Sequence, residues 1–144
     1  MTKEKVALKI IYITSTVILF LISLFLPAIR MYDYDGIKYS RGYELLLIGS
    51  LSLLGGGLFE WIIWLANPLL FISILFVIRK KRSAIFISIC AMCLAIAFSF
   101  KGNVLAAENG RTADIDLLLG YYLWLSSFTL WALANIIYFK YELD

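Results

Sequence analysis

Histidine is absent from this 144-residue chain, cysteine and proline occur twice each, and only 16% of the residues carry charge. Without histidine there is no His-based catalytic triad, no imidazole proton shuttle and no His-containing metal site. Two cysteines cannot close a Cys-only zinc site. Soluble domains run about 45–50% apolar and about 25% charged. Here 62% of residues are hydrophobic and the mean hydropathy is +0.89. That balance excludes a soluble domain and a disordered chain. The net charge of +3 is spread along the sequence rather than gathered on one face, which argues against nucleic acid as a partner. No residue set points to a cofactor, and the expectation is that none is bound.

The abundant feature is long apolar runs. Crossing a hydrocarbon core of about 30 Å takes about 20 helical residues. Residues 10–29, 61–78, 84–100 and 119–139 come near that length. The expectation is an all-α membrane protein: one polytopic domain over residues 1–144, built as a four-helix transmembrane bundle. No charged residue lies within these runs, which argues against a proton- or ion-coupled pump. Lys and Arg accumulate on the cytoplasmic side of membrane proteins. Lys3, Lys5, Lys9, Arg79, Lys80, Lys81, Arg82 and Lys140 fall on one side if both termini are cytoplasmic. The 79–82 turn is then the cytoplasmic hairpin, and loops 30–60 and 101–118 lie outside. The first run is too long for a signal-peptide core and lacks an Ala-x-Ala-like site, so it reads as an uncleaved helix closed by Pro27 and Arg30.

In the first outer loop, Asp35-Gly36 between Tyr-rich segments signals a two-residue β-hairpin turn. A turn centred there pairs Tyr34 with Ile37, Asp33 with Lys38 and Tyr32 with Tyr39. Asp33-Tyr34-Asp35-Gly36 looks like part of an EF-hand, but Gly42 stands where the pattern needs a Glu. Residues 45–54 predict a short interfacial helix with Leu47, Leu51, Leu54 and Leu58 as its buried face. Gly55-Gly56-Gly57 then ends it.

Within the spans, Asn67-Pro68 predicts either a kink or a break in the second helix, and with Asn135 it marks a possible ligand site. Ala84, Ser88, Ala91, Ala95 and Ser99 form a small-residue face that suits close packing inside the bundle, or a homodimer seam. Cys90 and Cys93 form a CxxC, with a structural reading as small apolar residues and a redox reading as a thiol pair. In the second outer loop Asn109-Gly110 is a turn signal. Thr112 or Asp114 is placed to cap a helix running into the last span, with Asp114 and Asp116 complementing its dipole. Tyr121, Tyr122, Trp124, Trp61 and Trp64 read as an outer aromatic belt, Tyr138 and Tyr141 as the inner one. Ser127, Trp131 and Asn135 share a face that should point inward.

Gly42-Tyr43-Glu44, Trp64-Leu65-Ala66-Asn67-Pro68 and Gly120-Tyr121-Tyr122-Leu123-Trp124-Leu125 resemble segments of small four-span bacterial inner-membrane proteins of unassigned function. The resemblance implies a bacterial cytoplasmic membrane and carries over no catalytic residue. The layout is also like that of immunity proteins against pore-forming bacteriocins. The function expected is a non-catalytic membrane protein, an accessory subunit or immunity-type factor, that meets a protein partner through Tyr32, Tyr34, Tyr39, Thr112, Asp114 and Asp116. The alternatives are a small transporter or channel subunit acting as a homo-oligomer, and a membrane thiol oxidoreductase using Cys90 and Cys93.

Overall fold

The computed structural model describes residues 3–34, 36–105 and 111–141. It contains four helical segments long and apolar enough to cross a membrane, together with a small antiparallel sheet at one end of the bundle.

The first helix, α1 (Lys3–Phe25), stops earlier than the apolar run does. Pro27 has no N–H to give to the Ser23 carbonyl, so the last turn is not continued. Ala28 and Ile29, expected in the span, instead belong to strand β1 (Pro27–Asp33), where both are buried. A register shift between Pro27 and Ile29 lets these two consecutive residues face inward together. Strand β2 (Gly36–Arg41) pairs with β1, and helix α2 (Gly42–Leu51) follows directly. Glu44 Oε2 accepts the Arg41 N–H at 2.9 Å, which caps the start of α2. No residue of α2 is buried against protein. Leu47, Leu51, Leu54 and Leu58, expected as the face an interfacial helix turns to lipid, are exposed rather than packed against protein. The chain reverses through Gly56, at φ +85°, as the glycine run predicts.

The second of the long apolar segments is helix α3 (Leu58–Trp64) followed by α4 (Ala66–Ile78). Leu65, between them, keeps right-handed helical angles, and the Leu69 N–H reaches the Leu65 carbonyl at 3.1 Å. The helix therefore does not restart at Pro68. The Trp64 carbonyl, which the missing Pro68 N–H would leave unpaired, accepts from Asn67 Nδ2 at 2.9 Å. Helix α5 (Ser83–Ala97) buries Ala84, Ser88, Ala91 and Ala95 within the bundle, so this face is internal packing; Ser99 is exposed in a 3-10 turn, Phe98–Phe100. Helix α6 (Leu119–Tyr141) completes the bundle.

Polar atoms join three of these helices. Ser73 Oγ of α4 donates to the Ala84 carbonyl of α5 (3.0 Å) and accepts from Trp131 Nε1 (2.9 Å) and Asn135 Nδ2 (3.3 Å) of α6. Ser127, Trp131 and Asn135 are all buried, as their shared face predicts. Helix α1 is held to the rest by rings: Phe20 packs edge-on against Phe71 and Phe128.

The turn between α4 and α5 has its own geometry. The Lys80 N–H bonds the Val77 carbonyl (3.0 Å) and the Lys81 N–H bonds the Phe76 carbonyl (2.8 Å). This is the Schellman pattern, in which glycine is the favoured residue at the left-handed position. Lys80 occupies it instead, at φ +54°, the only non-glycine residue with positive φ among the described residues. The left-handed conformation costs an L-residue about 1–2 kcal/mol.

The molecule is not all-α. Strands β3 (Asn103–Leu105) and β4 (Thr112–Leu117) from the second loop join the hairpin in one sheet of order β2-β1-β4-β3. Thr112 and Asp114 therefore do not cap a helix, and Asp116 is not in a first helical turn. The segment Thr-Ala-Asp-Ile-Asp-Leu alternates polar and apolar, which is strand period, and pairing with β1 satisfies its backbone. The hairpin turn is also centred one residue earlier than expected, so each residue of β1 faces a β2 residue two positions before the expected one. Asp33 pairs with Gly36, Tyr32 with Ile37, Met31 with Lys38 and Arg30 with Tyr39. Asp33 Oδ1 accepts the Tyr34 N–H at 2.8 Å, so the turn opens at Asp33, and Gly36 at φ +114° closes it. Asp35 and the Asn109-Gly110 turn lie outside the described residues.

The sheet meets the bundle where α1 becomes β1. A Cβ on Gly42 would come within 2.5 Å of the Ser23 carbonyl oxygen, and one on Gly120 within 2.7 Å of the Leu26 oxygen. The Gly42 N–H bonds Leu26 O (3.2 Å) and the Leu118 N–H bonds Ala28 O (2.8 Å). These overlaps are with backbone, which cannot swing aside. Gly42→Ala and Gly120→Ala should each destabilise the protein by about 1–3 kcal/mol. Gly102→Ala, where a Cβ meets nothing within 4 Å, should stay within about 0.5 kcal/mol. Thermal unfolding in detergent compares the three; equal melting of all of them would remove the joint as a packing constraint.

Candidate functional site: the open face of the sheet

One face of the sheet is closed. Ile29, Ser40, Ala113 and Val104 lie on it and are buried. The opposite face is open, and cross-strand pairing decides which side chains share it. Arg30 stands between Tyr39 on β2 and Asp116 on β4; Tyr32 stands between Ile37 and Asp114, with Asn103 opposite Asp114 on β3. Directly paired residues point to the same side. The hairpin and residues 112–116, selected separately from the sequence, thus become neighbouring strands of one surface.

Arg30, in the sequence a charge that closes the first apolar run, organises this surface. Its Nη1 donates to Tyr32 Oη at 3.2 Å, and that hydroxyl donates to Asp116 Oδ2 at 2.6 Å. Arg30 Nη1 lies 3.6 Å from the same carboxylate oxygen, and its Cζ sits 5.5 Å from the Tyr39 ring centroid. The Tyr32 hydrogen bond, then the Tyr39 and Tyr32 hydroxyls, hold the guanidinium even more firmly protonated than usual. The available signal was the strand period: Arg30 is two residues before Tyr32, so both point the same way. Tyr34 stands apart at the hairpin tip, 91% exposed, with the Arg111 guanidinium 5.4 Å from its ring. Thr112 opens β4 opposite Leu105. Beside the sheet, an open groove of about 580 Å³ is lined by Phe100, Lys101, Ile115, Asp116 and Tyr122, among others. Lys101 forms an ion pair with Glu60 and lies over the Phe59 ring, tying the start of the second span to the end of the third.

The other selected residues take structural positions. Asn67 is buried, its Nδ2 on the Trp64 carbonyl and its Oδ1 accepting from Trp124 Nε1 at 2.9 Å. Asn135 lines, with Lys9, Tyr12 and Trp131, a cavity of about 10 Å³, the size of one water. The expected outer aromatic belt is partly an internal frame. Tyr121 is buried and donates to the Ala95 carbonyl (3.0 Å), and Trp64 Nε1 donates to the Leu46 carbonyl (2.7 Å). Trp124 is one heptad before Trp131, and that spacing places it on the inward face. Cys90 is half-buried and Cys93 exposed on α5, both as free thiols.

No family model matches the chain, and no curated protein or solved structure matches it.

The hairpin turn carries a defined pH dependence. The Tyr34 N–H, and after it the Lys38 ammonium 3.3 Å away, hold the Asp33 carboxyl below its usual pKa. A lowered folded-state pKa stabilises the fold above the ordinary value and stops doing so as pH falls through the folded one. The Tyr34 amide should therefore exchange at constant protection from neutral pH down to about pH 4 and lose protection below it. In Asp33→Asn, which keeps an acceptor oxygen but no charge, that loss should be absent.

Proposed function

We propose that this chain is a multi-pass protein of the bacterial cytoplasmic membrane, with both termini and the 79–82 turn in the cytoplasm. Its task is non-catalytic: it binds another protein through the open face of the sheet, as an accessory subunit or a bacteriocin immunity-type factor. The observation that carries this reading is the hydrogen-bonded set of Arg30, Tyr32 and Asp116, with the Tyr39 ring against the guanidinium, on neighbouring strands of one sheet. Tyr and Arg dominate protein interfaces because they bury large area and lose little freedom when already positioned. Two loops far apart in sequence build this surface together. The polar side chains inside the bundle support the same reading, since Asn67, Ser73 and Asn135 make helix-to-helix hydrogen bonds.

Orientation is tested by labelling. Lys38→Cys and Gly102→Cys should react with an impermeant maleimide in intact cells, and Ser83→Cys should not. Labelling at position 83 from outside would invert the topology. Docking is tested by crosslinking and pull-down from native membranes. Tyr34→Ser and Tyr39→Ser, singly, should weaken partner capture by about 1–2 kcal/mol each while the protein still inserts. Unchanged capture, or equal loss on neutralising the 79–82 turn, would place the working surface elsewhere.

A further inference from the structure

Every carboxylate whose side chain is described, Asp33, Glu44, Glu60, Asp114 and Asp116, belongs to the sheet or to the segments next to it. At the other end of the bundle, Arg79, Lys80, Lys81 and Arg82 are all exposed. Among the described residues no carboxylate pairs with any of them. The turn that holds them is not a loose loop. The two backbone bonds from Lys80 and Lys81 back into α4 fix it, and the Lys81 ammonium folds over the Phe76 ring at 5.3 Å. Lys80 holds the left-handed position where glycine would fit without strain. The lysine brings a charge that glycine lacks, and among the described residues that charge makes no ion pair. The turn also closes two successive helices long and apolar enough to span a bilayer, which is the depth at which lipid phosphates lie.

We propose that the 79–82 turn is a binding site for the headgroup phosphate of an anionic phospholipid. Arg79 and Arg82 supply the planar donors that match phosphate oxygens, and Lys80 supplies a compact charge between them. The strain at Lys80 is offset by this external contact together with the two backbone bonds of the turn. The proposal rests on the membrane reading and is independent of the partner-docking one.

The test uses the full chain in neutral detergent, with the melting temperature as readout. Phosphatidylglycerol should raise the melting temperature of the wild type, whereas phosphatidylcholine and inorganic phosphate at equal concentration should leave it unmoved. Lys80→Gly relieves the positive φ, so without lipid it should melt above the wild type. It should also need about fivefold more phosphatidylglycerol for the same shift, the weight of one basic residue at an anionic surface. Arg79→Gln/Arg82→Gln should abolish the shift. Equal responses to the two lipids, or an undiminished response in Lys80→Gly, would overturn the proposal. A response to inorganic phosphate alone would overturn the lipid as its occupant. If the chain stayed in solution after detergent removal, the membrane reading would fall and this proposal with it. A chain that inserts but ignores headgroup charge would overturn this proposal alone.

Discussion

The structure depends on a backbone contact that leaves no room for a methyl group. Between Ser23 and Ala28 the chain passes from a membrane-length helix into a strand with a single residue, Leu26, between the two elements. Two helices begin against that joint, α2 at Gly42 and α6 at Gly120, each with its glycine pressed on the main chain of the joint. The joint's carbonyls are not left unpaired, because Leu26 O and Ala28 O accept from Gly42 and Leu118. Orphan backbone groups at a helix end need such partners, and here they come from other elements. The direction of α1 therefore sets the tilt of the sheet, and the starts of α2 and α6 lock it. Were the joint looser, Arg30 would have no fixed relation to Asp116, and the open face would be a set of independent loops.

The bundle solves a different problem. Between helices in a bilayer there is little hydrophobic drive, so packing and hydrogen bonds decide which faces meet. Small residues on α5 let α4 and α6 approach, and Ser73 then connects all three through one hydroxyl. Each such bond contributes little, about 0.6 kcal/mol on average. Their value lies in direction: a Trp indole and an Asn amide that must both meet Ser73 admit one rotation of α6. Asn67 does the same a turn and a half higher, serving the Pro68 gap and Trp124 with its two ends.

How much of this the sequence disclosed follows from which patterns have an address. Four apolar runs are visible because length and hydropathy are properties of a segment alone. The inward face of α6 was visible in the spacing of Ser127, Trp131 and Asn135. Trp124 and Tyr121 were misassigned because position along the helix was used and rotation was not: both lie near the end of α6 that meets the sheet, yet both point inward. The hairpin was visible, but its register was not. Asp-Gly is favoured at the centre of a two-residue turn, whereas here the Asp33 side chain captures the Tyr34 amide and moves the turn back. Strand β4 was missed because Thr and Asp before an apolar run are also good helix caps. Choosing between cap and strand requires the partner strand, which lies in another loop. For the same reason Arg30 was overlooked, since a charge that ends a span and a charge at the centre of a surface look alike until Tyr32 and Asp116 are placed beside it. The segments Gly42-Tyr43-Glu44, Trp64–Pro68 and Gly120–Leu125 that drew attention as motifs hold joints: two glycine contacts, a cap, a bridged proline and four indole or phenol donors.

The β1–β4 pairing also orders assembly in time. Tyr32 and Asp116 are 84 residues apart, so β1 is made well before its central partner exists. At synthesis rates of about 5–20 residues per second the delay is several seconds or more. Through that interval the β1 edge of the hairpin is unpaired, and it closes only after the helices between the two strands have been made and have delivered β4 to it. A chain in which the intervening helices held β4 away from β1 would keep that edge open. Closure of the sheet is thus a record of how the helices between its strands were laid down, written in main-chain hydrogen bonds.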